Sequence, residues 1–348
     1  MALGGCVGLL KIVNIDHLIS SMENDINEET WNPLVNQTLY GHSGNVISLD
    51  WNPKYQKLAS TDEYGLTIVW GIQNDGWCQD MVNNQNNSYV KDMKWTIDGE
   101  LICLVYQDGT VIVGSVEGSR LWGIELDVPL CCVEWLPGNK NVVFVTAKNE
   151  IKLYDVNGNH LNDVNSCLSD TIKSINWYNE SSKIRPSLAI ASVSGEISLL
   201  SKIGEPSSYI FNTNLREGIC RWNPKGGIFA ICGYKISNET KETADRSLVV
   251  MFYDINGQRL HEVLISEEDS LVDFEWESSG TRLTVATETC LFFINVRMPY
   301  TWTPLNSNST LVYQCQEVSP NLFYHFLQNS YSDFLEFHNI ERENNIFQ

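Results

Sequence analysis

Basic residues are scarce in this chain. Among 348 residues, 23 Lys and Arg face 43 Asp and Glu, which leaves a formal charge of −20. A groove that tracks nucleic acid needs a basic stripe to displace counterions, so that class of partner is set aside. Long apolar runs are missing as well, and no segment reads as membrane-spanning. Met1 to Leu10 is apolar, but no basic residue precedes it and Lys11 cuts it short, which argues against a secretory leader.

Histidine is also rare, with 6 residues scattered from His17 to His338. No His-Glu-x-x-His, Cys-x-x-Cys or Asp-x-Asp loop occurs, so neither a metal centre nor a nucleophile with its base has a visible frame. Gly4-Gly-Cys-Val-Gly8 lacks the Gly-Lys-Ser/Thr ending of a phosphate loop, and no amphipathic helix follows it. It reads as a glycine turn between strands. The 10 cysteines include Cys103, Cys131, Cys132, Cys220, Cys232 and Cys290 in or beside apolar runs, which fits buried free thiols of a cytoplasmic chain better than disulfides. The chain is therefore expected to be no enzyme and to carry no cofactor or metal.

What is present is repetition. Trp51, Trp95, Trp135, Trp177, Trp222 and Trp276 each end a short, partly apolar run, at intervals of 44, 40, 42, 45 and 54 residues. After each comes a polar turn and a second apolar run, such as Leu101-Ile-Cys-Leu-Val or Val142-Val-Phe-Val. A third follows: Leu66 to Trp70, Val111 to Gly114, Ile151 to Tyr154, Ile197 to Leu200, Leu248 to Tyr253 and Leu291 to Val296. Three of these enter one kind of tight turn, Val116-Glu-Gly-Ser, Val156-Asn-Gly-Asn and Ile255-Asn-Gly-Gln. There Asn-Gly predicts a type I′ hairpin with two positive-φ residues. A fourth, outermost strand leads to the next tryptophan.

Four short antiparallel strands every 40 to 45 residues is the period of a β-propeller blade. A blade is covered on both faces by its neighbours, which explains runs that are apolar throughout rather than alternating. The expected fold is an all-β, seven-bladed propeller with an incomplete first blade, because Ala2 to Asp16 supplies a second and third strand without a first. The expected domain spans residues 1–315, and residues 316–348 form an extension that contributes closing strands. Thr310 to Cys315 is the candidate outer strand of the last blade, and Leu322 to Leu327 pairs with the opening fragment. Ser20 to Pro33, Met81 to Ser88 and Tyr234 to Arg246 read as insertions.

Gly41-His42 followed by Trp70 resembles the WD signature, in which a histidine, a turn aspartate, a hydroxyl and a tryptophan on the third strand form a hydrogen-bonded network. The match is partial. Asp108 supplies the aspartate in a blade that ends at Gly114, whereas the blade of Trp70 has Tyr64 at that place, and Tyr154 and Tyr253 replace tryptophan. The blade-building residues are then His42, Trp51, Trp70, Trp95, Asp108, Trp135, Trp177, Trp222 and Trp276.

A longer likeness runs through Gln37-Thr-Leu-Tyr-Gly-His-Ser-Gly, Tyr55-Gln-Lys-Leu-Ala, Gly65-Leu-Thr-Ile-Val-Trp70, Val105-Tyr-Gln-Asp-Gly-Thr-Val-Ile-Val-Gly-Ser-Val and Asn295-Val-Arg-Met-Pro-Tyr-Thr-Trp302. In these residues the chain resembles the first propeller of the WD-repeat-35-type subunits of intraflagellar transport complex A. The WD region of tubby-like proteins that carry a SOCS box is a more distant resemblance. The first implies a scaffold or cargo-adaptor role in retrograde ciliary transport, cilium assembly and delivery of membrane proteins. Implied partners are other complex A subunits, a tubby-like adaptor, ciliary membrane cargo and the retrograde dynein train, in the cytoplasm, ciliary base and axoneme. The alternative is a free-standing WD adaptor, such as a ubiquitin-ligase substrate receptor. Tyr64, Trp77, Tyr89, Arg120 and Trp122 lie outside the strand pattern and are the candidate partner-binding residues, although Trp77 and Trp122 fall on outer strands where packing against the next blade also accounts for them.

Overall fold

Runs such as Leu101 to Tyr106 place apolar groups on both faces of a strand, so any sheet built from them must be covered twice. The computed structural model describes residues 1–13, 36–73, 76–84, 88–165, 168–178, 188–204, 206–207, 209–236, 246–297, 300–306, 309–314 and 323–326. It resolves into two compact units, Met1–Ser166 and Cys167–Gln348.

In the first unit, β1 (Ala2–Gly4), β2 (Leu10–Val13) and β3 (Asn36–Leu39) make a three-stranded antiparallel sheet. Three four-stranded sheets follow: β4 (Val46–Asn52) to β7 (Gly76–Asn83) through β5 (Lys57–Asp62) and β6 (Thr67–Gln73); β8 (Val90–Trp95) to β11 (Arg120–Glu125) through β9 (Leu101–Tyr106) and β10 (Thr110–Ser115); and β12 (Leu130–Trp135) to β15 (His160–Asn165) through β13 (Asn141–Thr146) and β14 (Glu150–Asp155). Each strand pairs antiparallel with the next in sequence, so every sheet is a meander.

The second unit repeats the plan. β16 (Ile172–Trp177), β17 (Leu188–Ser192), β18 (Glu196–Leu200) and β19 (Tyr209–Asn212) form one sheet, and β20 (Leu215–Trp222), β21 (Ile228–Ile236), β22 (Arg246–Asp254) and β23 (Arg259–Ser266) the next. In the last, β24 (Leu271–Trp276), β25 (Arg282–Thr287) and β26 (Leu291–Arg297) are in order. Among the described residues, β27 (Tyr300–Asn306) and β28 (Ser309–Gln314) then pair with each other alone, and β29 (Phe323–Phe326) takes the fourth place beside β26, Ile294 opposite Phe326. Two expectations change here. The strand at Thr310 is half of a separate hairpin, and the segment at Leu322 supplies the outer strand instead of pairing with the opening fragment.

The double covering is visible residue by residue. On β9, Ile102, Leu104 and Tyr106 pack against Ala59, Val69 and Met81 of the preceding sheet. The intervening Cys103 and Val105 pack on the other side against Leu130, Val133, Trp135 and Phe144. The second unit divides β22 the same way, Val249, Met251 and Tyr253 to one side and Leu248, Val250 and Phe252 to the other. Trp70, Trp95, Trp135, Trp177, Trp222 and Trp276 are all buried. Trp51 departs from the expectation for that set: it is 45% exposed and rests its ring against Trp77 at 5.8 Å. Burial pushes the Cys103 thiol far up, and Cys103, Cys220 and Cys232 fill tight places as small apolar groups. Cys290 is exposed instead.

Side-chain acceptors tie one first strand to the next. The Trp95 backbone N–H donates to Asp50 at 2.6 Å, and that of Val133 to Asp92 at 2.9 Å. In the second unit the Trp222 N–H donates to Asn176 at 2.7 Å. The Trp135 indole N–H reaches the Lys94 carbonyl at 3.0 Å, and that of Trp276 the Arg221 carbonyl at 3.1 Å. The Trp-Asn-Pro turns use their asparagines likewise, Asn52 donating to the Gly99 carbonyl and Asn223 to that of Gly280, each at 2.8 Å.

The hairpin turns after β10, β14 and β22 differ from the type I′ expectation. Of the Asn-Gly pairs only the glycine has positive φ, +86° at Gly158 and +76° at Gly257. Asp155 accounts for this: its Oδ1 accepts the N–H groups of Asn157 and Asn159, which holds Asn157 in ordinary space and leaves one left-handed residue beside a register shift. Each turn glycine lies on an apolar side chain of the preceding sheet, Gly118 on Met81, Gly158 on Trp122 and Gly257 on Phe211. Met81 to Asn83 is thus part of β7 rather than an insertion, and Tyr234 and Arg246 are likewise strand residues. Ser20 to Pro33 lies outside the described residues.

Gly158→Ala should lower the urea midpoint more than Gly138→Ala. Both glycines are left-handed, which costs any Cβ-bearing residue ~1–2 kcal/mol. Only at Gly158 does the new methyl meet a neighbour, the Trp122 ring at 2.9 Å, whereas Gly138 has nothing within 4 Å. Equal midpoints for the two variants would contradict the packing described.

Candidate functional site

A buried polar network stands at one end of the sheet β4–β7. His42 precedes β4, Ser60 and Asp62 lie on β5 and Trp70 on β6. Neighbouring strands hold Leu58 opposite Trp70 and Ser60 opposite Ile68, which fixes the hydroxyl two residues from the indole along the ladder. His42 Nδ1 meets Asp62 Oδ2 at 3.2 Å, His42 Nε2 meets Ser60 Oγ at 2.6 Å, and the Trp70 indole N–H donates to Ser60 Oγ at 2.7 Å. A carboxylate oxygen only accepts, so Nδ1 carries the ring proton and Nε2 accepts from the Ser60 hydroxyl. The other Asp62 oxygen accepts the N–H groups of Tyr64 and Leu66, each at 3.1 Å, and so shapes the β5–β6 turn.

Asp62 is the acid of this network. The sequence pattern pointed two residues further on, to the position of Tyr64, which instead stands 64% exposed on the turn that Asp62 holds. Asp108 joins no such network. It is exposed and accepts the Thr110 N–H at 2.9 Å, closing its own turn.

The network anchors a patch of exposed apolar groups. Tyr64 lies against Gly44, and Asn45 binds Glu63 through its backbone N–H at 2.9 Å. The Asn45 side chain also accepts the Val7 N–H at 3.0 Å. Val7 is 84% exposed and sits at φ +56°, a left-handed conformation that a β-branched residue adopts only under constraint. Leu9 is exposed on the same turn. Three segments distant in sequence, 5–9, 40–46 and 62–65, thus converge on one surface. Nothing in the sequence pattern alone marks Val7 or Asn45.

The other candidate partner residues are dispersed. Arg120 is exposed on β11 with its guanidinium folded over Gly123. Trp122 is half-buried, under Gly158, with its indole N–H on the Val156 carbonyl at 2.7 Å. Trp77 is half-buried, and its backbone is clasped by the Gln37 amide at 2.9 and 3.0 Å. Tyr89 is half-buried before β8, its carbonyl accepting from Gln107. Among the described residues no group of three or more His, Cys, Asp and Glu side chains could hold a metal ion, and no helix is long and apolar enough to cross a membrane.

Residues 1–297 match the family model described as the WDR35/TULP4 N-terminal β-propeller. The chain belongs to that family. Its sheets are therefore propeller blades, with β1–β3 as the three-stranded first. Human WD repeat-containing protein 35 is 33% identical over 314 residues, covering 87% of this chain and 26% of that protein, and the mouse protein is 32% identical over the same length. Human Tubby-related protein 4 is 28% identical over 299 residues, 75% of this chain and 19% of its own length. This family member thus spans about a quarter or less of the relatives it matches.

Burial holds the His42 ring below the usual histidine range, opposed in part by Asp62. A lowered folded-state value means that the unfolded chain binds the proton more readily, so stability should fall as pH drops below about 6.5, the unfolded histidine value. His261 is shifted the same way and contributes to the slope. In His42→Gln, urea unfolding at pH 7.5 should show a loss of ~1–3 kcal/mol, because Ser60 and Asp62 each lose the bond to the imidazole. The difference from the parent chain should shrink towards pH 5. A constant or widening difference would contradict a neutral His42.

Proposed function

We propose that this chain is a non-enzymatic scaffold or cargo-adaptor subunit of intraflagellar transport complex A. In this role it serves retrograde ciliary transport, cilium assembly and delivery of membrane proteins from the cytoplasm and ciliary base. The observation that carries this reading is the likeness to WD repeat-containing protein 35 over 87% of the chain, higher in identity and coverage than the likeness to Tubby-related protein 4. The geometry supports a binding role, since rigid sheets present turns and the polar network is spent on holding a loop. Its partners are the other complex A subunits. A tubby-like adaptor, ciliary membrane cargo and the dynein train are reached through them.

The binding face is the turn cluster around His42, with Tyr64 as its aromatic anchor. An exposed tyrosine offers a large contact area at low entropy cost, and such side chains dominate protein interfaces. The surplus of negative charge steers basic partner surfaces towards it.

Affinity capture of the tagged chain from ciliated cells should recover complex A subunits. Tyr64→Ala should lower that recovery roughly fivefold or more, the effect of losing a contact above 1 kcal/mol. Leu161→Ser, a change at an exposed position on β15, should leave it unchanged. Recovery of cullin subunits without complex A would overturn the assignment, and equal recovery by both variants would overturn the role of Tyr64.

A further inference from the structure

Val7 occupies a place that its chemistry does not suit. The Leu9 N–H donates to the Cys6 carbonyl at 3.1 Å, which closes a turn with Val7 and Gly8 at its centre, at φ +56° and +71°. Two left-handed central residues are the φ pattern of a type I′ turn, whose first central residue is by preference asparagine, aspartate or glycine. Valine is a costly choice there, because its branched Cβ crowds the backbone at positive φ. The glycine-rich run from Gly4 to Gly8 thus departs from turn chemistry at a single position.

Packing does not account for the choice, since the Val7 side chain is 84% exposed. Hydrogen bonding does not account for it either. Asn45 Oδ1 accepts the Val7 N–H at 3.0 Å, and the Val46 N–H donates to the Gly5 carbonyl at 3.0 Å. Both bonds engage backbone groups of the turn and would hold asparagine or glycine at position 7 equally well. They fix where the turn sits and not what stands at its tip. A side chain kept in a costly conformation and turned to solvent points to a function outside the fold.

The neighbours of Val7 define what meets it. The Glu63 N–H donates to the Asn45 carbonyl at 3.0 Å, and the Asn45 N–H to Glu63 Oε1 at 2.9 Å. One asparagine therefore clamps the turn of Val7 to the turn of Tyr64, and the spacing of two exposed apolar groups is set before any partner arrives. In segments 5–9, 40–46 and 62–65 the charged side chains are Asp62, which is buried, and Glu63, which is exposed. His42 is held neutral by burial. An acidic rim of this kind repels an anionic lipid surface and attracts a basic protein surface.

On the assignment to complex A, we propose that Val7 is a second anchor of the binding face. Its isopropyl group enters an apolar socket on a complex A subunit, and an Arg or Lys at the rim of that socket pairs with Glu63.

The test uses the tagged parent chain, Val7→Asn, Glu63→Gln and Leu161→Ser in affinity capture from ciliated cells, with complex A subunits quantified by mass spectrometry, and urea unfolding of each purified chain. Val7→Asn should raise the urea midpoint, because asparagine suits the turn, and should cut complex A recovery roughly fivefold or more. A residue kept for the fold would lose both together. Glu63→Gln retains an acceptor for Asn45 and should lower recovery while making what remains less sensitive to added salt. Leu161→Ser should behave as the parent. Recovery by Val7→Asn equal to that of the parent, or a lowered midpoint, overturns the role of Val7. Unchanged recovery and salt dependence in Glu63→Gln overturn the basic rim. Saturable binding of the purified chain to phosphatidylserine vesicles that Val7→Asn abolishes makes the occupant a membrane and overturns the protein socket. Complex A missing from the parent sample overturns the assignment to that complex and this partner with it, a result distinct from equal recovery by parent and variant.

Discussion

A sheet that is apolar on both faces cannot stand alone in water, and everything else in this protein follows from that constraint. The middle strands β9, β13, β21 and β22 are buried, and in β9, β21 and β22 alternate residues of one strand belong to different clusters. The hydrophobic contribution scales with this double burial, at roughly 25 cal/mol per Å² of apolar surface removed from water. The sheets must therefore stack face to face, and the first strands must lie close enough for a carboxylate or amide on one to accept a backbone N–H from the next. The tryptophans close the gap between them. Trp51 differs from the others, being 45% exposed and resting against Trp77.

The proposed binding role places the contacts of such a scaffold in its turns. The polar network from Trp70 through Ser60 and His42 to Asp62 ends in the backbone of a turn. That network fixes where Tyr64 stands, and the neighbouring loop holds Val7 in a conformation it would not adopt freely. A surface assembled from three separated segments and pinned by buried hydrogen bonds loses little entropy when a partner docks. This suits the proposed role of a scaffold subunit.

Much of this was legible in the sequence, because it rests on short-range regularities. The spacing of tryptophans, the polar turn after each and the continuous apolar runs located β4–β6, β8–β10, β12–β14 and their counterparts. What escaped was set by geometry in three dimensions. Asp62 takes the place expected for the residue at Tyr64, because a side chain two residues earlier on β5 reaches His42 just as well. The Asn-Gly turns follow Asp155 and Asp254, whose carboxylates select a turn with one left-handed residue, an effect that the dipeptide alone conceals. β29 pairs with β26 across an intervening hairpin, and no local pattern specifies such a return.

The most direct test of the account is native-state amide exchange along one sheet. If double covering holds the fold together, the amides of β9 and β13 should exchange only through global unfolding, those of the outer strands β11 and β15 should open at lower cost, and the gradient should repeat in β21 against β23. Uniform exchange across each sheet, or outer strands more protected than middle ones, would contradict it.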